Sequence, residues 1–174
     1  FAAGKEMDLS IEFEGVARFR INIYYDKRGL CVSFRLIPST VRPLNDLGLP
    51  EVVNQCAQMV RGLILVTGTT GSGKSTTLTS IIDQINLNRQ EHIITIEDPI
   101  EFLHSHKKCI INQREVGTHT QSFPDALRAA LREDPDIIFV GEMRDLETIS
   151  MVITAAETGH LVFATLHTKG AVQS

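Results

Sequence analysis

Residues 68–75 read Gly-Thr-Thr-Gly-Ser-Gly-Lys-Ser, a full match to G-x-x-x-x-G-K-[ST]. No other stretch constrains the fold of this chain so tightly. Each fixed position has a physical job beside phosphate. Gly68, Gly71 and Gly73 open backbone angles that other residues avoid, so the chain can pass close to an anion. Successive amides then form a concave nest for phosphate oxygens. Lys74 brings a compact positive charge to the β- and γ-phosphates, and Ser75 offers its hydroxyl to Mg²⁺. A helix that starts near Lys74 aims the positive end of its dipole at the same anion. The candidate nucleotide-binding residues are therefore Gly68, Thr69, Thr70, Gly71, Ser72, Gly73, Lys74, Ser75 and Thr76.

The flanks agree with the motif. Residues 62–67, Gly-Leu-Ile-Leu-Val-Thr, are a short apolar run of the kind found in buried parallel strands. Downstream, Leu78, Ile81, Ile82 and Ile85 fall at helical spacing between Ser75 and Leu87. Strand, glycine loop and helix is the context this motif requires. From Arg61 onward, apolar strands alternate with helices, which predicts a parallel sheet covered on both faces. Strands are expected at 92–96, 109–112, 136–140 and 160–166. Helices are expected at 51–59, at 122–133 behind the capping Ser122, and from Asp145 to a stop at Gly159.

Residues 8–37 follow a different pattern. Leu9, Ile11 and Phe13 alternate with polar residues, then Phe19, Ile21 and Ile23, then Val32, Phe34 and Leu36. Turns fit at Glu14-Gly15 and at 26–29, so an antiparallel meander is expected, part of a small α+β domain. Residues 38–50 hold Pro38, Pro43, Gly48 and Pro50, the densest cluster of breakers, and are expected to link two domains. The domain plan is therefore 1–37, a connector at 38–50, and 51–174. The chain starts at Phe1 and ends in polar residues soon after a strand, and so is expected to be a fragment of a longer protein.

Composition excludes several classes. The net charge of −4 carries no bulk basic signature for nucleic acid. Cys31, Cys56 and Cys109 are scattered, which argues against a disulfide framework or a zinc site. No apolar run reaches membrane-spanning length, although peripheral association with a membrane stays open.

Polar clusters at the ends of the expected strands carry the chemistry, since ligands of open parallel sheets bind at the carboxyl ends. Glu97, Asp98 and Glu101 follow one strand. Glu101 lies past the Pro99 turn and is the preferred water-activating base, whereas Glu97 and Asp98 serve equally well as caps of that turn. The run 137–142, Ile-Ile-Phe-Val-Gly-Glu, has the Walker B pattern with Glu142 in place of the usual Asp, and offers a carboxylate to Mg²⁺. His160 and His167 bracket the last strand and are candidate phosphate sensors. Arg20 and Arg35 fall on the polar side of their strands. They fit a solvated sheet surface, or an arginine finger reaching phosphate across a domain or subunit boundary.

The strings GTTGSGKSTT, HIITIEDPIEF, ALREDPDIIFVGEMRD and AAETGHLVFATLHT resemble the Walker A, Asp box, Walker B and His box of the type II/type IV secretion ATPases. More narrowly, together with GVARFRINIYYDKRG, they resemble the twitching-motility (PilT-like) ATPases that retract type IV pili. The resemblance implies a RecA-like α/β P-loop domain preceded by part of a PAS-like domain. It implies ATP and Mg²⁺, with Ser75 and Glu142 at the metal, Glu101 as general base, His160 and His167 as the His-box pair, and Arg20 and Arg35 reaching nucleotide. It further implies a homo-hexamer, cytoplasmic at the inner face of the bacterial inner membrane, working against an inner-membrane platform protein. A pilus-assembly or type II secretion ATPase, or a weakly hydrolysing accessory subunit of such a ring, are the alternatives.

Overall fold

The computed structural model describes residues 6–14, 16–38 and 40–166. The chain divides into two compact units, Phe1–Thr40 and Val41–Ser174.

The first unit is a three-stranded antiparallel sheet of β1 (Glu6–Phe13), β2 (Ala17–Asp26) and β3 (Gly29–Ile37). Its second hairpin closes on Asp26, whose Oδ1 accepts the amides of Arg28 and Gly29 at 2.6 and 3.1 Å. Period-2 alternation sorts the two faces. Ile11, Phe19 and Leu36 are cross-strand neighbours on one face, as are Leu9, Ile21 and Phe34. Phe19 meets both Phe13 and Phe34 edge to face, with centroids 5.9 and 6.3 Å apart. The opposite face carries Ser10, Arg20 and Arg35 side by side.

The expected connector at 38–50 is not uniform. Residues from 41 onward go with the second unit. A 3-10 turn at Leu44–Leu47 buries Leu44 in that unit's core and packs Leu47 against it. Pro43 and Gly48 bound the turn, with Gly48 left-handed at φ 64°. The breakers thus shape a docked turn rather than a free tether.

The second unit is a five-stranded parallel sheet in the order β4-β8-β7-β5-β6. The strands are β4 (Gly62–Thr67), β5 (His92–Glu97), β6 (Ile110–Glu115), β7 (Ile137–Val140) and β8 (Leu161–Leu166). Helices α1 (Glu51–Cys56), α2 (Lys74–Asn88), α3 (Phe123–Ala130) and α4 (Leu146–Glu157) complete it. Strand parity separates two cores. Ile93, Ile111, Ile137, Phe139, Leu161 and Phe163 meet Leu78, Ile81, Ile82 and Ile85 of α2. Ile94, Ile96, Ile138, Val140, Val162 and Ala164 meet Ala126, Leu127 and Ala130 of α3 and Val152 and Ala155 of α4. Burial on both faces is why these strands read as unbroken apolar runs.

Two helices start where their caps predict. Ser122 Oγ accepts the Asp125 amide at 3.2 Å and Asp145 Oδ1 accepts the Thr148 amide at 2.8 Å. Helix α3 stops at Ala130, short of the expected Glu133. Asp134 is left-handed at φ 53°, and the residue before Pro135 is barred from helix by the proline ring. Strand β6 runs further than expected, to Glu115, because its polar second half stays paired with residues 94–97 of β5.

Phe163 sits at the centre of the sheet and has no exposed surface. Phe163→Ala is expected to cost about 3–5 kcal/mol, read as a lower urea midpoint with an unchanged slope.

Candidate functional site at the carboxyl edge of the sheet

All five strands point the same way, so the loops that leave them emerge on one edge. The glycine loop leaves β4. Gly68 holds φ at 148°, and a Cβ placed on it would lie 2.6 Å from Ser72 Oγ, so the loop can close only on a glycine. Gly73, left-handed at φ 94°, is the N-cap of α2 and supplies no side-chain acceptor. The first-turn amides of α2 are therefore not capped by a side chain, which suits an anion. Lys74 is the first residue of α2 and is buried. Its ammonium donates to the carbonyls of Gly68 and Thr69 at 2.9 and 3.0 Å. An ammonium has three donors, so the loop itself uses two and pulls the charge over its own mouth.

β8 separates β4 from β7, and β5 follows β7. At about 4.8 Å per strand, the end of β7 stands about 10 Å from the end of β4 and that of β5 about 14 Å. Glu142 lies two residues past β7 and is buried. Arg144 Nε contacts Glu142 Oε2 at 2.7 Å. The Gly141 amide donates to Ile96 O at 2.7 Å. A Cβ at Gly141 would sit 3.2 Å from that carbonyl and 3.3 Å from Glu97 Cα. The glycine is what allows the ends of β7 and β5 to touch. Thr165 Oγ1 donates to Gly141 O, and Met143 N donates to Thr165 O at 3.1 Å, which ties β8 to the same turn.

Glu97 is the last residue of β5 and is buried. Its Oε1 accepts from Thr95 Oγ1 at 2.7 Å and Gln113 Nε2 at 3.2 Å, and its Oε2 accepts the Glu101 amide at 3.3 Å. Burial pushes its carboxyl up to about 7; the hydrogen bonds from Thr95, Gln113 and the Glu101 amide oppose that rise, and the charge of Glu101 adds to it. The turn that follows contains a cis Asp98–Pro99 bond. Asp98 and Glu101 are exposed on the edge. Glu97 thus anchors the turn, one of the two roles left open for it.

The structure brings Lys74, Ser75, Glu101 and Glu142 to the same edge of one sheet. It does not bring His160 there. His160 precedes β8, and its carbonyl accepts the amide of Gly62, the first residue of β4, at 3.1 Å. That places it on the amino edge, about 20 Å of strand away from the glycine loop. Its Nδ1 lies 2.9 Å from Ala155 O and 3.3 Å from Thr158 Oγ1, at the end of α4. His160 thus stands at the far end of β8 from this chain's own glycine loop, because a strand has two ends. His167 lies outside the described residues.

Arg20 and Arg35 are directly opposed in the β2–β3 register. Arg20 Nη2 lies 3.6 Å from Asp8 Oδ2, and Arg35 is exposed. Like charges placed opposite each other on a sheet repel, and a shared anion relieves that repulsion. Sequence pattern put both on the polar side; only the register shows them as a pair. Arg144, Gln113 and Glu115 were not foreseen as site residues. Arg144 had a signal, two residues past the Walker B acid. Gln113 and Glu115 had none, because their partners are 9–16 residues away in the chain. Among the described residues, no cluster of His, Cys, Asp and Glu forms a ready-made metal cage.

The model of the type II/IV secretion system protein family matches residues 3–174. The chain is 59% identical over 169 residues to the type IV pilus retraction ATPase PilT of Pseudomonas aeruginosa, covering 97% of this chain and 49% of that protein. It is 58% identical to a twitching motility protein of Neisseria gonorrhoeae, covering 97% of this chain and 45% of that one. The crystal structure of the pilus retraction motor PilT with bound ADP aligns with a TM-score of 0.96 at 56% identity, over 99% of this chain and 50% of that one. The chain therefore spans about half the length of the curated relatives it matches.

The elevated Glu97 carboxyl links stability to pH. A group raised from 4.5 when unfolded to about 7 when folded binds its proton more tightly in the folded chain. Its contribution is full below 4.5 and is lost as pH rises to about 7, a change on the order of 3 kcal/mol. Urea titrations from pH 4.5 to 8 are expected to show wild type losing stability relative to Glu97→Gln across this window, with a constant difference above it.

Proposed function

The chain belongs to the type II/IV secretion system protein family, and from that premise we propose that it is the nucleotide-binding part of an ATP-hydrolysing motor that powers type IV pilus retraction. One observation carries the reading. The lysine of the glycine loop, the Walker B acid and the turn bearing Glu101 share one edge of one parallel sheet. The likeness to retraction ATPases, running nearly the whole length of the chain, names the work done.

The residues fit a triphosphate with its metal. The N-terminus of α2 has no side-chain cap, and a buried ammonium stands beside it. Ser75 and Glu142 are hard oxygen donors, which suit Mg²⁺. Bound Mg²⁺ would supply neutralisation of charge on the β- and γ-oxygens. Lys74 exchanges loop carbonyls for phosphate oxygens. Arg144 holds the Glu142 carboxylate from the solvent side. Glu101 orients a water for in-line attack on the γ-phosphorus and takes its proton. Arg20 and Arg35 meet charge that develops on the transferring group, a contribution of about 10³–10⁵ in rate for a finger of this kind.

In this reading, hydrolysis changes the charge held at the sheet edge, and that change drives a conformational shift. A homo-hexameric ring passes that shift to an inner-membrane platform protein, from the cytoplasmic face of the bacterial inner membrane. No helix of the described residues is long and apolar enough to cross a membrane. The acidic balance of the chain gives no electrostatic reason to place nucleic acid in the ring.

The full-length protein tests this directly. Lys74→Ala and Glu142→Ala should each lower the rate of phosphate release from ATP by at least about 100-fold, and cells carrying either should lose twitching. Arg20→Ala should lower kcat with little change in nucleotide affinity. ATP turnover that survives both the Lys74 and the Glu142 substitutions contradicts the assignment.

A further inference from the structure

The face of the sheet that holds α2 changes character as its strands leave the core. On β5 and β6 the paired residues run from Ile93 and Ile111, through Thr95 and Gln113, to Glu97 and Glu115. The first pair belongs to the core against α2; the last is a pair of buried carboxylates at the carboxyl edge. Two acids buried side by side are costly unless their oxygens are used. They are used, and one loop engages an oxygen of each.

That loop is the one bearing Glu101. Glu115 Oε2 accepts the Ile100 amide at 3.0 Å, while its Oε1 accepts from Thr118 Oγ1 at 3.0 Å. Glu97 Oε2 accepts the Glu101 amide. Gln113 continues the pattern: its Nε2 donates to Phe102 O at 2.8 Å, and its Oε1 accepts the His104 amide at 2.7 Å. Glu115 is in turn held by the bond from its own amide to His119 Nδ1 at 3.0 Å. Every main-chain contact from Ile100 to His104 named here runs to a side chain of a strand end. Ile100 is only 3% exposed, so its amide has no ready replacement in water.

We propose that Glu115, assisted by Gln113, is a positioning residue for Glu101. The edge strand β6 works as a template, and its side chains set the path of the loop that carries the water-activating carboxylate. Glu115 touches no reacting atom in this account. It acts by fixing the amide adjacent to Glu101, so that the carboxylate meets the γ-phosphate at a set distance. The inference rests on the reading of Glu101 as the base.

The kinetic signature is specific. Removing the acceptor leaves the glycine loop, Lys74 and Glu142 as they are, so nucleotide affinity should hold while the chemical step slows. A misplacement of about 1 Å costs on the order of 100-fold. In full-length protein, Glu115→Ala should lower kcat by about 10- to 100-fold, with KM and the affinity for a fluorescent ATP analogue within about twofold. Glu115→Gln keeps an oxygen for the Ile100 amide and a group for Thr118, and should recover turnover to within about threefold of wild type. Gln113→Ala, which frees Phe102 and His104 but not Ile100, should show a smaller drop of the same kind. Wild-type kcat in Glu115→Ala overturns the proposal. So does a loss of nucleotide affinity in parallel with turnover in both alanine variants, which marks a general structural role. Glu101→Gln separates the premise from the inference. Turnover retained there removes Glu101 as the base. Turnover abolished there but normal in Glu115→Ala leaves the base in place and sinks the positioning role alone.

Discussion

A single hydrogen bond, from the Gly141 amide to the Ile96 carbonyl at 2.7 Å, closes the site edge of the sheet. It joins the ends of β7 and β5 just where each strand gives way to an acidic loop. The bond is short because Gly141 carries no side chain; a Cβ there would press on both the Ile96 carbonyl and Glu97 Cα. With the contact made, the Walker B loop and the loop bearing Glu101 start from adjacent points. Without it, the two acids would diverge as the sheet twists. Thr165 on β8 bonds the carbonyl of the same glycine, so the strand beside the glycine loop is tied in too. Three of the five strands thus meet at one residue.

Burial of acids around that point follows from the same closeness. Glu97, Glu115 and Glu142 are all buried. Isolated buried carboxylates would cost several kcal/mol apiece. Here each is engaged: Glu97 by Thr95, Gln113 and a main-chain amide, Glu115 by Thr118 and a main-chain amide, Glu142 by Arg144. The sites differ in kind. Glu142 is balanced by a cation that is itself largely exposed and can yield to another cation. Glu97 accepts from neutral donors, which fix geometry and bring no charge. Burial and the nearby charge of Glu101 leave Glu97 sharing its proton with solvent near neutrality. The edge therefore carries less negative charge than its three carboxyl groups suggest, which eases the approach of a polyanionic triphosphate.

Much of this was legible in the residues. The glycine loop, its strand and its helix are local, and local chemistry writes them plainly. Apolar runs marked β5, β7 and β8 because parallel strands are buried on both faces. Caps at Ser122 and Asp145 marked helix starts. Strand direction was harder: His160 and His167 bracket one strand in the sequence, yet His160 stands at the amino end of β8, away from the glycine loop. Breakers at 38–50 marked a linker, while the docking of Leu44 and Leu47 within it depends on contacts distant in sequence. Gln113 and Glu115 were invisible for another reason. An edge strand with polar residues has weak periodicity, and the bonds that give those residues meaning reach back to residues 97–104.

The arginine pair of the first unit obeys the logic of the acids in reverse. Arg20 and Arg35 are registered opposite each other, and Asp8 stands 3.6 Å from only one of them. A solvated sheet gains nothing from facing two guanidinium groups across a strand pair. Positive charge held in surplus on a rigid antiparallel face is matched by an anion, and the planar guanidinium is the side chain suited to phosphate oxygens. The second unit carries chemistry of the opposite kind along one sheet edge: a buried lysine and an uncapped helix N-terminus that suit phosphate, and acids that suit a metal ion.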